Sequence, residues 1–197
     1  MERTILNIAA GKFKPLSMNN MEYPTFLINL DTMYYAHTSP EAIEIHYDEW
    51  TKTMDKEYFC KADAFEFMER TKIFFDEICI YRFLEHVSFT QVDYFIYLLS
   101  TITKKGALVD VIVPNYETLA KKLLQFDKPG HKGFQARNIL LTTELLNEPS
   151  CPHASIWTPD RAKYFFELEG RFKLKELDEK FMFDGRDIYI RFIAERL

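Results

Sequence analysis

Glycine is scarce in this chain, six in 197 residues, so few of its loops rely on glycine's conformational freedom. Cysteine is scarcer still: Cys60, Cys79 and Cys151 are odd in number and far apart. That usage excludes a disulfide framework and points to a reduced, cytoplasmic protein. No run approaches the roughly 20 apolar residues that span a bilayer. No secretory signal is visible either, because Glu2, Arg3, Lys12 and Lys14 surround the short apolar run near the start. A net charge of −5 argues against a surface built wholly to grip nucleic acid or anionic membrane, though it leaves room for one basic patch. There is no internal repeat and no low-complexity tract.

Aromatic side chains are plentiful, with 18 Phe and 11 Tyr, and 47% of the residues are apolar, so the core is expected to be aromatic-rich. The length fits one domain. Short apolar runs without helical periodicity read as buried strands: Thr4–Ala9, Phe26–Leu30, Tyr58–Ala62, Ile73–Ile80 and Leu108–Val113. Helices are expected from Ser39-Pro40-Glu41 to about Lys52, over Phe65–Arg70, over Gln91–Ile102 with a tight turn at Lys104-Lys105-Gly106, and over Glu117–Phe126. Asp127–Gln135 reads as a loop, Ala136–Leu146 as helical or partly extended, and Glu148–His153 as turn-rich. Thr158-Pro159-Asp160 caps a helix to about Glu169 with Gly170 after it, and Phe172–Glu176 and Asp187–Ala194 form a late antiparallel pair. Strands alternating with helices predict an α/β sheet. The densest stretch is 73–117, where Arg82 and Glu85-His86 follow a buried strand at once. Open α/β sheets bind ligands just past such strand ends.

Several pieces line up in order: ILNIAAGKF at 5–13, FLINLD at 26–31, CKADAFEF at 60–67, FFDEICIYRFLEHV at 74–87 and ITKKGALVDVIVPNYETL at 102–119. The series resembles the class I S-adenosylmethionine-dependent methyltransferases, and most of all their compact, type-11-like branch with its LNIGCG, NVD, FD-I, H-V-LEH and LKPGG-L-I-VP pattern. WTPDRAKYFFELEGRFKLKEL at 157–177 matches that family's helix–strand unit. The resemblance implies a Rossmann-like methyltransferase fold: a mostly parallel central sheet, an antiparallel C-terminal strand pair and helices on both faces. It implies one domain over 1–197, with a loop-rich insertion at 127–156 readable as a substrate lid.

By the same resemblance Asn7, Ala9 and Gly11 form the turn that approaches the cofactor. Asp31 accepts from the ribose hydroxyls and Asp63 from the adenine amino group, with Ala64 and Phe65 beside the ring. Asp76 matches a Phe-Asp pair, Gly106 and Pro114 match a later turn and loop, and Glu85 and His86 match a Glu-His pair. The chain departs from the pattern at three places. Ala9 stands for the first glycine, Ala10 for Cys, and Arg82 for the first His of H-V-LEH. A guanidinium stays protonated, so Arg82 cannot take over proton transfer from that His.

Each candidate also has a plainer reading. Asp31 can be a solvated strand-end acid, and Asp63 an N-cap. His86, whose ordinary pKa lies near neutrality, reads as a general base or as a histidine that fixes its loop. Glu85 reads as an acid in the chemistry or as a cap or ion-pair partner of Arg82, and Arg82 as an anion holder or a structural ion pair. Lys121, Lys122, Lys128, His131, Lys132 and Arg137 make an acceptor-binding or solvated loop. Cys151 and His153 lack the second pair that zinc needs. Trp157, Tyr164, Phe165 and Phe166 read as rings that stack on a base or sugar or, for most of them by helical spacing, as core packing. The leading expectation is methyl transfer from S-adenosylmethionine, with Glu85 and His86 catalytic, to a small molecule, glycan, protein or nucleic acid. Net charge disfavours the last of these. The alternative is an inactive methyltransferase-fold protein that binds a partner or serves in an assembly. A nicotinamide oxidoreductase ranks below both, because no G-x-G-x-x-G string is present.

Overall fold

A computed structural model describes residues 3–9, 25–31, 43–45, 57–125, 154–183 and 185–197. Among these, eight strands form a single sheet. They are β1 (Arg3–Ile8), β2 (Thr25–Asp31), β3 (Ile43–Ile45), β4 (Glu57–Lys61), β5 (Phe75–Tyr81), β6 (Thr103–Pro114), β7 (Phe172–Phe183) and β8 (Arg186–Arg196). The order across the sheet is β3-β4-β2-β1-β5-β6-β8-β7. All pairs from β3 to β6 are parallel, while β6–β8 and β7–β8 are antiparallel.

The central strands read as unbroken apolar runs because both of their faces are buried. Leu6 and Ile8 of β1, Ile78 and Ile80 of β5, and Val109, Val111 and Val113 of β6 pack into one core. Ile5, Cys79, Tyr81 and Ile112, one residue out of phase, pack into a second core on the opposite face. The first core is covered by α1 (Ala64–Arg70), α2 (Val92–Ile102) and α4 (Pro159–Glu167), and α2 touches the other two. On the second face α3 (Tyr116–Gln125) lies against β8 and inserts Leu119. Helices therefore cover both faces, as the sequence predicts. No helix among the described residues is long and apolar enough to cross a membrane.

Local signals explain the helix boundaries. Val92, Phe95, Ile96, Leu99 and Ile102 of α2 recur at helical spacing and are buried, whereas Asp93, Tyr94 and Tyr97 are exposed. Thr158 Oγ1 accepts the Arg161 amide at 3.3 Å, and Pro159 opens α4, the cap read from the sequence. Asn115 Oδ1 accepts the Glu117 and Thr118 amides at 3.1 and 3.3 Å and so caps α3.

Three boundaries differ from expectation. Ile43–Ile45, expected inside a helix from Ser39 to Lys52, is an edge strand, because two β-branched residues flank a glutamate in a period-two pattern; the rest of that helix lies outside the described residues. The Lys104-Lys105-Gly106 turn is absorbed into β6. Phe75 pairs with Thr103 but Glu77 with Leu108, so β6 bulges there, and Gly106 supplies a left-handed φ of 77°. Helix α4 is capped at Leu168, before Gly170, and the chain then turns through Glu169 and Gly170 at φ 58° and 63°. The stretches expected as a loop at 127–135, helical or partly extended at 136–146 and turn-rich at 148–153 lie outside the described residues.

Candidate functional site

Strand β1 lies between β2 and β5, and the direction of strand order reverses there. In a parallel sheet this reversal opens a crevice at the carboxyl ends of the two strands. Ile8 and Ile80 are register partners, so β1 and β5 finish side by side. Both then turn left-handed at non-glycine residues, Ala9 at φ 52° and Arg82 at φ 58°. An L-residue held there costs about 1–2 kcal/mol. The Arg82 amide donates to the Ile112 carbonyl at 2.7 Å, which anchors the second of these turns.

Half-buried apolar side chains follow the carboxyl ends of β1, β4 and β5. Ala9, Ala62, Phe65 and Phe83 all pack against the first core while keeping some exposed surface. Phe95 of α2 orients two of them: its ring lies edge-on to Phe65 at 5.3 Å between centroids and tilted against Phe83 at 5.6 Å. Tyr94 stacks on Phe65 at 6.3 Å.

Asp63, exposed at the end of β4, caps α1. Its Oδ1 accepts the Phe65 amide at 2.9 Å and the Glu66 amide at 3.2 Å. Among the described residues Oδ2 accepts no hydrogen bond. Ala64 begins α1 with its methyl in the core. Asp31 ends β2 opposite Lys61 of β4, so Asp31 and Asp63 belong to the carboxyl ends of neighbouring strands; the Asp31 side chain and all of Gly11 lie outside what the structure describes. Asn7 is buried two residues before the Ala9 turn and donates through Nδ2 to Asn29 Oδ1 at 2.9 Å, tying β1 to β2. Asp76 sits at the opposite end of the strands, at the start of β5. It accepts the Thr4 amide at 2.9 Å and Lys104 Nζ at 2.8 Å, joining three strands.

The Leu84–His86 310 turn follows Arg82. His86 is half-buried, and its amide donates to the Phe83 carbonyl at 2.8 Å. Glu85 is 0% exposed, and neither carboxyl oxygen has a hydrogen-bond partner. Burial raises its pKa to about 8, opposed by its own amide and by Arg82. A side chain with no exposed surface is out of a substrate's reach, so Glu85 is buried beneath this turn while His86 keeps some exposed surface.

A short strap closes over this turn. The Ala154 and Ser155 amides both donate to the Glu85 carbonyl, at 2.7 and 3.0 Å. Ser155 Oγ donates to the Leu84 carbonyl at 2.9 Å, and Trp157 Nε1 donates to Ser155 Oγ at 3.0 Å. Tyr189 of β8, also buried, belongs to the same region. Burial raises its pKa, Arg82 and Arg186 lower it, and Glu85 adds to the rise. Sequence reasoning missed Phe83, Ser155 and Tyr189 as parts of this edge. Register alone signals Tyr189, which pairs with Pro114 at the end of β6. Among the described residues no cluster of His, Cys, Asp and Glu could hold a metal ion.

No protein-family profile matches the chain, and no curated protein does. Solved structures do match. An S-adenosylmethionine-dependent methyltransferase of Methanosarcina mazei is 16% identical, aligning all of this chain with 93% of its own at a TM-score of 0.59. The N-methyltransferase NodS of Bradyrhizobium japonicum is 11% identical over 98% of this chain and 85% of its own, with a TM-score of 0.57. The 1,6-didemethyltoxoflavin-N1-methyltransferase of Burkholderia thailandensis, solved with its substrate and S-adenosylhomocysteine, is 11% identical over 99% of this chain and 71% of its own, with a TM-score of 0.61. With the parallel sheet, the antiparallel terminal pair and the crevice between β1 and β5, these likenesses show that the chain has the fold of the class I S-adenosylmethionine-dependent methyltransferases.

Proposed function

We propose that the chain binds S-adenosylmethionine across the carboxyl ends of β1, β2, β4 and β5 and transfers its methyl group to an acceptor beside Arg82 and His86. One observation carries the reading. The two left-handed turns at Ala9 and Arg82 stand side by side, and the carboxyl end of β4, on the same side of the parallel sheet, carries half-buried Ala62 and Phe65 and the spare oxygen of Asp63. The residues fit an adenosyl group. Asp63 Oδ2 is an acceptor for an amino group, Phe65 and Ala62 offer an apolar wall, and the Ala9 turn brings backbone close. Asp31 ends the strand between β1 and β4, where a ribose acceptor belongs, with Asn7 and Gly11 before and after the Ala9 turn and Ala64 beside Phe65.

When bound, the sulfonium supplies a methyl group that is already reactive. The protein's task is therefore to align donor and acceptor, which contributes up to about 7–11 kcal/mol in favourable cases. Phe83 and Phe65 exclude water on one side. Arg82 orients the acceptor. His86 takes a proton only where the acceptor's nucleophile must lose one. Glu85, buried behind this turn, shapes it.

Calorimetric titration with S-adenosylmethionine and S-adenosylhomocysteine tests the reading. At 100 times Kd either ligand stabilises the fold by about 2.7 kcal/mol. Absence of heat and of thermal stabilisation with both ligands rejects it. The burial of Glu85 favours one other reading: a methyltransferase-fold protein that binds a partner without turnover. Binding of both adenosyl ligands, with no product across small-molecule, glycan, protein and RNA acceptors, is the outcome that reading expects.

A further inference from the structure

Glu85 is the one described residue whose carboxyl is wholly buried with both oxygens unpartnered. Native interiors pair nearly all such groups, so this one calls for an explanation. Its surroundings supply one. The Glu85 carbonyl receives two amide protons from Ala154 and Ser155, and the hydroxyl of Ser155 fastens the same strap to Leu84. The groups that tighten the strap are thus seated on the residue that carries the buried acid. Among the described residues Arg82, from the same loop, is the charged group that acts on it, and the acid in turn raises the pKa of Tyr189 from β8. His86 follows it in the chain, while Ser155 and Trp157 of the strap, and Ile112–Pro114 at the end of β6, bring nothing that titrates.

We propose that Glu85 is a proton-gated latch: as a neutral acid it keeps the Ala154–Trp157 strap closed on the loop that positions Arg82 and His86, and loss of its proton lets the strap lift. A neutral carboxyl tolerates the dry site. A carboxylate without a hydrogen bond does not, and lifting the strap seated on the same residue is its route to water. Burial holds the proton up to about pH 8 in the closed form, whereas a solvated glutamate releases it near its ordinary value of 4.5. Opening therefore becomes easier as pH rises between these two values and levels off above the higher one. The inference is independent of whether the chain transfers methyl groups.

Hydrogen exchange of the Ala154 and Ser155 amides, corrected for the intrinsic exchange rate, tests it. In the wild type, protection falls by up to about tenfold per pH unit between pH 5 and 8. In Glu85→Gln, which keeps shape without a proton to lose, protection stays high and flat. Equal slopes in the two proteins overturn the proposal. Carbon NMR of the Glu85 carboxyl in the wild type adds a readout that needs no variant. A midpoint well above the ordinary carboxylate range supports the latch, and a midpoint within that range overturns it.

Discussion

Arg191 grips Asp110 with two parallel hydrogen bonds of 2.9 Å, Nε to Oδ1 and Nη2 to Oδ2, across the β6–β8 junction where the parallel sheet becomes antiparallel. Tyr81 of β5 donates a third bond to Oδ2 at 2.8 Å, so one carboxylate knits three adjacent strands. Phe181 of β7 lies under the guanidinium at 5.4 Å. The hydrogen bond to Asp110 pushes the Arg191 pKa up, so the guanidinium stays charged. Asp110→Ala strands a guanidinium and a buried hydroxyl. Arg191 retains 27% side-chain exposure, which softens the loss to roughly 2–3 kcal/mol, below the 3–5 of a fully buried broken pair. Urea unfolding of Asp110→Ala, Arg191→Met and the double variant measures it. The double variant is expected to recover part of the loss, and a double variant as unstable as the sum of its two single changes contradicts the coupling.

Trp157 joins the strap to the core. Its ring is buried, tilted against Phe165 at 5.8 Å and stacked near Phe192 at 6.4 Å, while its Nε1 holds Ser155. Trp157→Ala is expected to cost about 3–5 kcal/mol. Trp157→Phe keeps an aromatic ring but removes the donor to Ser155, a loss of about 1 kcal/mol from the hydrogen bond alone. Thermal unfolding should therefore order the three proteins wild type, Phe, Ala. An Ala variant within 1 kcal/mol of the wild type on this scale contradicts the anchoring role.

The sheet was legible because its central strands are buried on both faces and so appear as bare apolar runs. The Thr158-Pro159 cap was legible because local hydrogen bonding determines it. The length of β7 was not: Glu176–Lys180 is exposed and polar, an edge stretch whose extended shape comes from pairing with β8 and not from its own composition. At the site, the position of Arg82 past β5 could be read, but not its left-handed backbone, which depends on the bond to Ile112 from a distant strand. The burial of Glu85 was equally hidden, since the strap that fastens to it arrives about seventy residues later in the chain. A glutamate beside a histidine looks the same in sequence whether it faces solvent or none.

Ala9 has a φ of 52°, a conformation that glycine adopts freely and alanine does not. Ala9→Gly relieves about 1–2 kcal/mol of backbone strain and forfeits about 0.5–1 kcal/mol to the greater freedom of the unfolded glycine. The expected result is a protein as stable as the wild type or up to about 1 kcal/mol more so. Ala9→Val, β-branched in a left-handed turn, should fall below both. Denaturant midpoints check the order, and a Gly variant clearly less stable than the wild type contradicts the strain. Under the proposed function the smaller residue should also tighten adenosyl binding.

Asp63 separates architecture from recognition, because its two oxygens have different duties. Oδ1 caps α1 and Oδ2 is spare. Asp63→Asn keeps an oxygen for the Phe65 and Glu66 amides, since asparagine caps helices about as well as aspartate, so stability should change little. Asp63→Ala loses the cap and should cost about 1 kcal/mol. If Asp63 does nothing but cap, S-adenosylhomocysteine affinity should be nearly unchanged in the Asn variant. If Oδ2 accepts from the adenine amino group, the Asn variant must offer its amide nitrogen where an acceptor is required, setting donor against donor. That mismatch weakens binding by about tenfold or more while the fold is intact. Calorimetry on the stable Asn variant therefore decides whether the carboxylate holds a nucleoside. An unchanged Kd there removes Asp63 from the site and leaves it as the N-cap of α1.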